Sequence, residues 1–539
     1  MLRQGRSYQI EKIYLIFVCF ATLLPGFGAI DNNPVRWMTI GFITILFLFY
    51  QNFISQEKIK INFKNSTIVV LSGIYIFFNC LTADNFNESL ITLYKLVIIV
   101  SVFYSSYLAI RKIDRVFLFI CYIFTISIFF ESAYTLVDFF STDNSFTGMS
   151  QNRNISSSSI VFKLIFLIYL INYSKSFSGK LVFKAIELAA LFSIILLQSR
   201  LGVISIFAIY FLYFILMKSS RKRMVFSILI SCLFFIYFNN NDFQKKIEKD
   251  YTFQYLSNDE SINQRLSFYE ASIRLFKEKP LTGNGLGSWK YKSIQDKISK
   301  NNSILVPYYT HNDFLQILME TGLIGLFIYL TFFGLLIKNT FNNRREKILT
   351  PLLIALFIVL TNSLINFPIH RAQEYIPFII CCSLIFNKKE FETKGNNTNI
   401  IPLLMILLIP SLILAKYEYH SLKAQKVLMS DYKNNKFSLS VNEIKKINYH
   451  LPNLASNVVP ISTYLSRYYF NEKNYYESMR LLDYSLELNQ FDLMSNELML
   501  KNYIFTNQTN KALILVKELI KRYPENKNYS NILLAILKE

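Results

Sequence analysis

Two histidines, three arginines and a series of glycines, in an ordered spacing, carry what chemistry this chain displays. His311-Asn312 is followed by nine residues and Gly322, with Gly325 three positions further on. The turn KPLTGNGLG precedes it and holds Gly283, Gly285 and Gly287. Arg265 lies upstream in NQRLSFYEA and Arg200 in QSRLG, while His370 and Arg371 follow in FPIHRAQEY. Asn154 sits further back, in TGMSQNRNISSS. Guanidinium groups bind oxyanions through forked, charge-assisted hydrogen bonds that lysine cannot reproduce. Imidazole titrates near neutrality, so it can take a proton from a hydroxyl, or bind an anion once protonated. Each residue also has a plainer reading. Arg200 suits an interfacial anchor that snorkels toward headgroups, and Arg265 the wet face of an amphipathic helix. His311 suits a helix cap, Gly322 and Gly325 suit close helix packing, and His370 and Arg371 suit anchors. Glu320 lies about half a turn round the helix from His311, as nine steps of 100° require, and is expected to pack. The sequence has no Gly-Lys-Ser phosphate loop, serine nucleophile elbow, His-Glu-x-x-His helix or Asp-x-Asp pair. No metal and no cofactor is expected.

The elements that must position these residues are apolar. Of 539 residues 52% are hydrophobic, including 50 Phe and 35 Tyr, too apolar a mixture for a soluble enzyme. Apolar runs of the length that spans a bilayer lie near 11–30, 36–54, 66–82, 88–110, 116–139, 158–173, 181–198, 201–217 and 223–238. A polar loop occupies about 239–311, and four further runs lie near 314–338, 350–367, 373–387 and 399–416. The expected fold is therefore an all-α polytopic membrane helical bundle of about 12–13 transmembrane helices with one large outward loop. Basic residues fall in alternate loops: Arg111, Lys112 and Arg115 after the fourth run, Lys175 and Lys180 after the sixth, Arg344, Arg345 and Lys347 after the tenth. The positive-inside rule puts those loops and the N-terminus in the cytoplasm. Arg200, the 239–311 loop, His370 and the C-terminal region then face outward. The net charge of +21, which in a soluble protein would point to nucleic acid, is accounted for by these loops, and no nucleic-acid partner is expected. The six cysteines lie in or beside apolar runs without metal-ligand spacing, which argues against disulfides and zinc.

Residues 1–416 thus form a membrane domain, and 417–539 a helical region of soluble composition. The latter repeats itself at an offset of 34 residues, with Ser478 matching Ala512, Leu482 matching Val516 and Ser485 matching Leu519. That period resembles tetratricopeptide repeats, whose stacked hairpins bind a partner, so a protein partner is expected there.

The order QSRLG, NQRLSFYEA, KPLTGNGLG and the His311-Asn312…Gly322…Gly325 spacing resemble the O-antigen ligase superfamily. It comprises lipopolysaccharide O-antigen ligases, repeat-unit polymerases and bacterial protein O-oligosaccharyltransferases. The likeness covers residues 140–390, with Phe268 where relatives often carry Trp. It implies a metal-independent glycosyltransferase of the bacterial inner membrane, acting at the periplasmic face. The donor would be a polyprenyl-diphosphate-linked glycan and the acceptor a hydroxyl, with an O-antigen ligase of lipopolysaccharide or surface-polysaccharide biosynthesis as the leading expectation. Arg200 and Arg265 would hold the diphosphate, and His311 would act as catalytic base or as a further diphosphate ligand. Asn312, Gly322, Gly325, Gly283 and Gly285 would support the motif, and His370, Arg371 and Asn154 would touch substrate. Lipid A-core, a growing glycan and protein stay open as acceptors, so a polymerase and a protein O-oligosaccharyltransferase stand as alternatives. A transporter or flippase is more distant, because no inverted repeat with broken midplane helices is visible.

Overall fold

The computed structural model describes residues 2–56, 60–141, 146–217, 225, 260–295, 308–342, 346–386, 397–524 and 526–538. Eight helices come first: α1 Leu2–Ala21, α2 Asn33–Phe49, α3 Phe63–Leu81, α4 Phe86–Lys112, α5 Val116–Ser141, α6 Arg153–Tyr173, α7 Phe177–Leu196 and α8 Arg200–Leu216. α9 Glu260–Glu278 and α10 Trp289–Gln295 lie within the expected outward loop. α11 Asp313–Asn342, α12 Glu346–Ser363, α13 Ala372–Ile385 and α14 Ile401–Lys433 complete the bundle. Six short helices follow: α15 Val441–Ile444, α16 Ile461–Asn471, α17 Tyr475–Leu488, α18 Leu493–Phe505, α19 Thr509–Arg522 and α20 Lys527–Lys538.

Among the described residues six helices are long and apolar enough to cross a membrane, and four shorter apolar helices stand beside them. The protein is an all-α polytopic membrane protein; its only described strands are Lys60–Asn62 and Asn397–Asn399, paired antiparallel. Twelve of the thirteen expected runs coincide with helices; the ninth, 223–238, lies outside the described residues apart from Val225. Two boundaries differ from expectation. α1 ends at Ala21 rather than near residue 30, because Pro25, Gly26 and Gly28 follow and the chain turns. α14 runs on to Lys433, past the apolar stretch. Its buried positions Leu404, Leu408, Ser411, Ala415, Glu418, Leu422 and Gln425 step by four and three. That seam keeps one face against α2 and α4 after the exposed face has become polar.

α6 is the axle of the bundle, with 89% of its most apolar stretch buried. Charged residues inside the bundle are partnered, as a low-dielectric setting requires. Lys95 pairs with Glu418 at 2.9 Å, Glu131 with Lys163, and Glu187 accepts from the Tyr210 hydroxyl at 2.6 Å. In the C-terminal region α17 and α19 occupy positions 34 residues apart and bury Ser478, Leu482, Ser485 and Ala512, Val516, Leu519 respectively.

At one end of the bundle six connections meet. Arg371, before α13, reaches Asp31, before α2, at 2.5 Å. Arg36 of α2 donates to Met149 O before α6 at 2.8 Å and to Gln373 Oε1 at 2.6 Å. Arg153 of α6 donates to Gln198 before α8 at 3.2 Å. Lys292 of α10 pairs with Asp84, before α4, at 2.8 Å. His311 lies at this end.

Candidate functional site

The foundation of the site is a break in α11. Gly322 has φ 64° and ψ −167°, a conformation that essentially only glycine adopts, and the helix ladder is interrupted there. The released groups are taken up by the glycine turn between α9 and α10. Asn284 N donates to Met319 O at 3.0 Å, Gly285 N to Glu320 O at 2.9 Å, and Leu323 N to Pro280 O at 2.9 Å. The two backbones approach so closely that a Cβ on Gly283 would stand 2.3 Å from Glu320 O, and one on Gly322 2.3 Å from Leu281 O. A Cβ on Gly285 would meet Ala83 at 2.5 Å, and one on Gly325 would meet the Thr321 side chain. Glu320 points away from His311 and finishes the join: its carboxylate accepts from Gly287 N at 2.9 Å, Trp289 N at 3.3 Å and Gln316 Nε2 at 3.1 Å.

This join sets the start of α11 and therefore His311. Asn312 is the N-cap, its side chain accepting from Leu315 N at 3.0 Å, while Thr310 Oγ1 donates to Asn312 O at 2.8 Å. Asp313 Oδ2 accepts from Ser363 Oγ at 3.2 Å and Ile369 N at 3.3 Å, tying α11 to the end of α12 and the turn Pro368–His370. His311 itself is held at φ 57°, and Tyr269 of α9 donates to its carbonyl at 3.1 Å. Its ring lies between Phe268 of α9, stacked at 6.4 Å, and Phe367, edge-on at 4.9 Å. Its Nδ1 is buried and has no hydrogen-bond partner among the described residues.

Burial, then the positive charges of Arg265 and Arg371, push the His311 imidazole down to about 4. At neutral pH it is therefore an uncharged ring with acceptor capacity, set beside two guanidinium groups. Arg371 lies 5.3 Å from the Phe367 ring and 5.7 Å from the Tyr309 ring. Burial opposes its charge, and Asp31 beside it more than restores it. Its Nε is buried without a partner among the described residues. His370 stacks on Tyr309 at 4.6 Å, and Tyr309 on Phe367 at 4.4 Å. Burial, with Lys95, Lys290 and Arg371 nearby, holds His370 well below the ordinary range and neutral. Two neutral imidazoles thus flank one wall of aromatic rings.

Of the arginines singled out from sequence, Arg265 is half-buried on α9, close enough to depress His311. Arg200 is exposed at the first turn of α8, behind the N-cap Ser199 and next to Gln198, the residue that takes Arg153. Asn154 is half-buried in the first turn of α6, which is capped by Asn152 Oδ1. Sequence reading passed over Asp31, Arg153, Tyr309 and Phe367. The available signal for Asp31 was its place as the single acidic residue between α1 and α2, in a connection that meets arginine-bearing ones.

On the other face of α11 an apolar groove of about 320 Å³ runs between α3, α4 and α11. Ile76, Leu96, Ile317, Ile328 and Phe332 line it, and Gln316, Glu320, Lys95 and His370 border it. Among the described residues no group of three His, Cys, Asp or Glu side chains gathers as around a metal ion.

Fold and site together define a multi-pass membrane protein with a cationic, histidine-bearing site where its helix connections converge. Over residues 185–330 the sequence matches the protein-family model described as O-Antigen ligase. That stretch holds Arg200, Arg265, the glycine turn, His311, Gly322 and Gly325, and supports a glycosyltransferase of the ligase superfamily. Asn154, His370, Arg371 and the C-terminal region lie outside it. None of the curated proteins matches the chain.

Proposed function

We propose that this protein transfers a glycan from a polyprenyl diphosphate to an acceptor hydroxyl at the periplasmic face of the bacterial inner membrane, as an O-antigen ligase of lipopolysaccharide or surface-polysaccharide biosynthesis. The observation that carries the reading is His311. It is an uncharged imidazole with a buried, unpartnered Nδ1, in the field of Arg265 and Arg371, at the start of a braced helix inside the matched stretch. In the reaction the acceptor oxygen bonds to the anomeric carbon as the bond from that carbon to the diphosphate oxygen breaks. The hydroxyl proton passes to His311, and the electron pair leaves on the diphosphate. Arg265, with Arg200 and Arg371, meets the departing charge through forked hydrogen bonds.

A base at about 4 is weak in the free enzyme. Burial depresses it most, and the arginines that depress it further are the ones a diphosphate would neutralise. Donor binding therefore raises the basicity of His311 when it is needed. The groove beside α3 and α4 suits hydrocarbon, as a lipid-linked donor requires. No step in this account uses a metal ion or cofactor. The C-terminal helices, 34 residues apart in register, suit a tetratricopeptide-like partner-binding surface on the same side.

The test is a deletion strain examined for its lipopolysaccharide ladder and its glycoproteins. Loss of the ladder with intact glycoproteins, reversed by the wild-type gene but not by His311→Ala, is the expected result. An intact ladder with lost glycoproteins would replace the lipid acceptor by protein. An unchanged glycan profile would end the transferase reading.

A further inference from the structure

The C-terminal region is joined to α4 and α10 around one buried carboxylate. Glu88, in the first turn of α4, is fully buried and holds Lys290 of α10 at 2.8 Å. Its other oxygen accepts two backbone N–H groups from the loop before α16, Asn453 at 3.0 Å and Leu454 at 3.1 Å. Asn453 and Asn85 exchange a reciprocal pair of amide hydrogen bonds, both 3.0 Å. Leu454 and Val458 of the same loop pack with Tyr291 and Tyr308. The loop is itself rigid: Ala455 N donates to Val459 O at 2.8 Å, Ile461 N to Asn453 O at 3.0 Å, and Ser456 N to Gln425 of α14 at 2.9 Å.

From Glu88 the contacts continue to His311. The Lys290 ammonium lies 4.4 Å from the Tyr308 ring, and Tyr308 meets Tyr309 at 4.9 Å. Tyr309 stacks on Phe367, the ring that backs His311. A buried ion pair is stable only when its remaining hydrogen-bonding capacity is satisfied. Here the satisfying donors come from a segment more than 350 residues away from Glu88, as the separation of 365 between Glu88 and Asn453 records.

We propose that the loop 453–460 is a positioning element of the transfer site, with Glu88 and Lys290 as positioning residues. By completing the Glu88 carboxylate it fixes Lys290, and through Lys290 the Tyr308–Tyr309 segment that leads into His311. The C-terminal region is on this account a working part of the enzyme and not an appendage. The kinetic half of the proposal rests on the transferase reading above.

The test uses the full chain in nanodiscs, with Leu454→Asp and the isosteric Glu88→Gln. Amide hydrogen exchange is followed in 286–295 and 308–312, with α6 as reference, beside kcat and KM for the donor. Exchange in those two segments should accelerate at least about tenfold, the factor that loss of a charge-assisted hydrogen bond allows, with α6 unchanged. The kcat should fall by a similar factor while KM stays near wild type, which a merely structural defect would not do. Exchange and kcat within about twofold of wild type in both variants would overturn the proposal. If Leu454→Asp also loses protection throughout α6 it has unfolded, and Glu88→Gln decides by the same readouts. If the wild type shows no transfer, the reaction falls while the exchange data still decide the coupling.

Discussion

Replacing Gly322 by alanine should abolish function by breaking the join between α11 and the glycine turn. Two costs combine. At φ 64° and ψ −167° an L-residue is strained by about 1–3 kcal/mol. The new Cβ would also stand 2.3 Å from Leu281 O, 2.5 Å from Leu281 C and 2.7 Å from Gly283 N, all backbone atoms with nowhere to rotate. Relief means pulling the turn away, which gives up backbone bonds such as Asn284 N to Met319 O and Leu323 N to Pro280 O. At about 1 kcal/mol net for each bond, loss of two brings the total to about 3–5 kcal/mol, a large fraction of a domain's stability. Gly334 of the same helix is the control, because a Cβ there meets nothing within 4 Å. Gly334→Ala should be neutral, or stabilising by about 0.5–1 kcal/mol through helix propensity. Thermal unfolding in detergent, with complementation of a deletion strain, reads both variants. A Gly322→Ala protein that melts with wild type and restores the surface glycan would refute the account of the join.

In the free enzyme His311 is neutral above about 4, so the acid limb of kcat/KM should fall near pH 4 and not near 6.5. The acid limb of kcat should lie higher, because bound diphosphate offsets the arginines. Arg265→Gln removes one of the charges that lower His311, so its kcat/KM limb should move up in pH; a profile that moves down contradicts the electrostatic reading. Asn312→Ala removes the N-cap bond to Leu315 N and should cost about 1 kcal/mol in thermal unfolding, with Asn312→Asp largely restoring it. Ile328→Trp fills the groove between α3, α4 and α11, and should raise KM for a long-chain polyprenyl donor while sparing a short-chain analogue; equal effects on both would remove the groove from donor binding.

What the sequence revealed and what it hid divide along physical lines. Apolar runs of span length are legible because lipid leaves a backbone no partner but itself, which is why twelve runs coincide with helices. The half-turn between Glu320 and His311 is legible too, since helical phase is arithmetic. The role of Glu320 was not, because its partners are the N–H groups of Gly287 and Trp289, more than thirty residues earlier. The His311-Asn312…Gly322 spacing singles Gly322 out in sequence, but not as a break; only the turn lodged against it makes it one. Asp31 with Arg371 and Glu88 with Asn453 join residues 340 and 365 positions apart, and no local pattern announces such pairs. The length of α14 was hidden because hydropathy ends where the apolar face narrows, while the seam from Leu404 to Gln425 continues.

The central claim is that His311 takes the proton of the acceptor hydroxyl beside arginines that hold the diphosphate. Its most direct measurement is release of polyprenyl diphosphate by purified protein supplied with a lipid-linked glycan and acceptor, comparing wild type with His311→Gln at matched folding. The account predicts that His311→Gln loses at least about a hundredfold in kcat while donor binding stays close to wild type. Turnover by His311→Gln within a few-fold of wild type would contradict it.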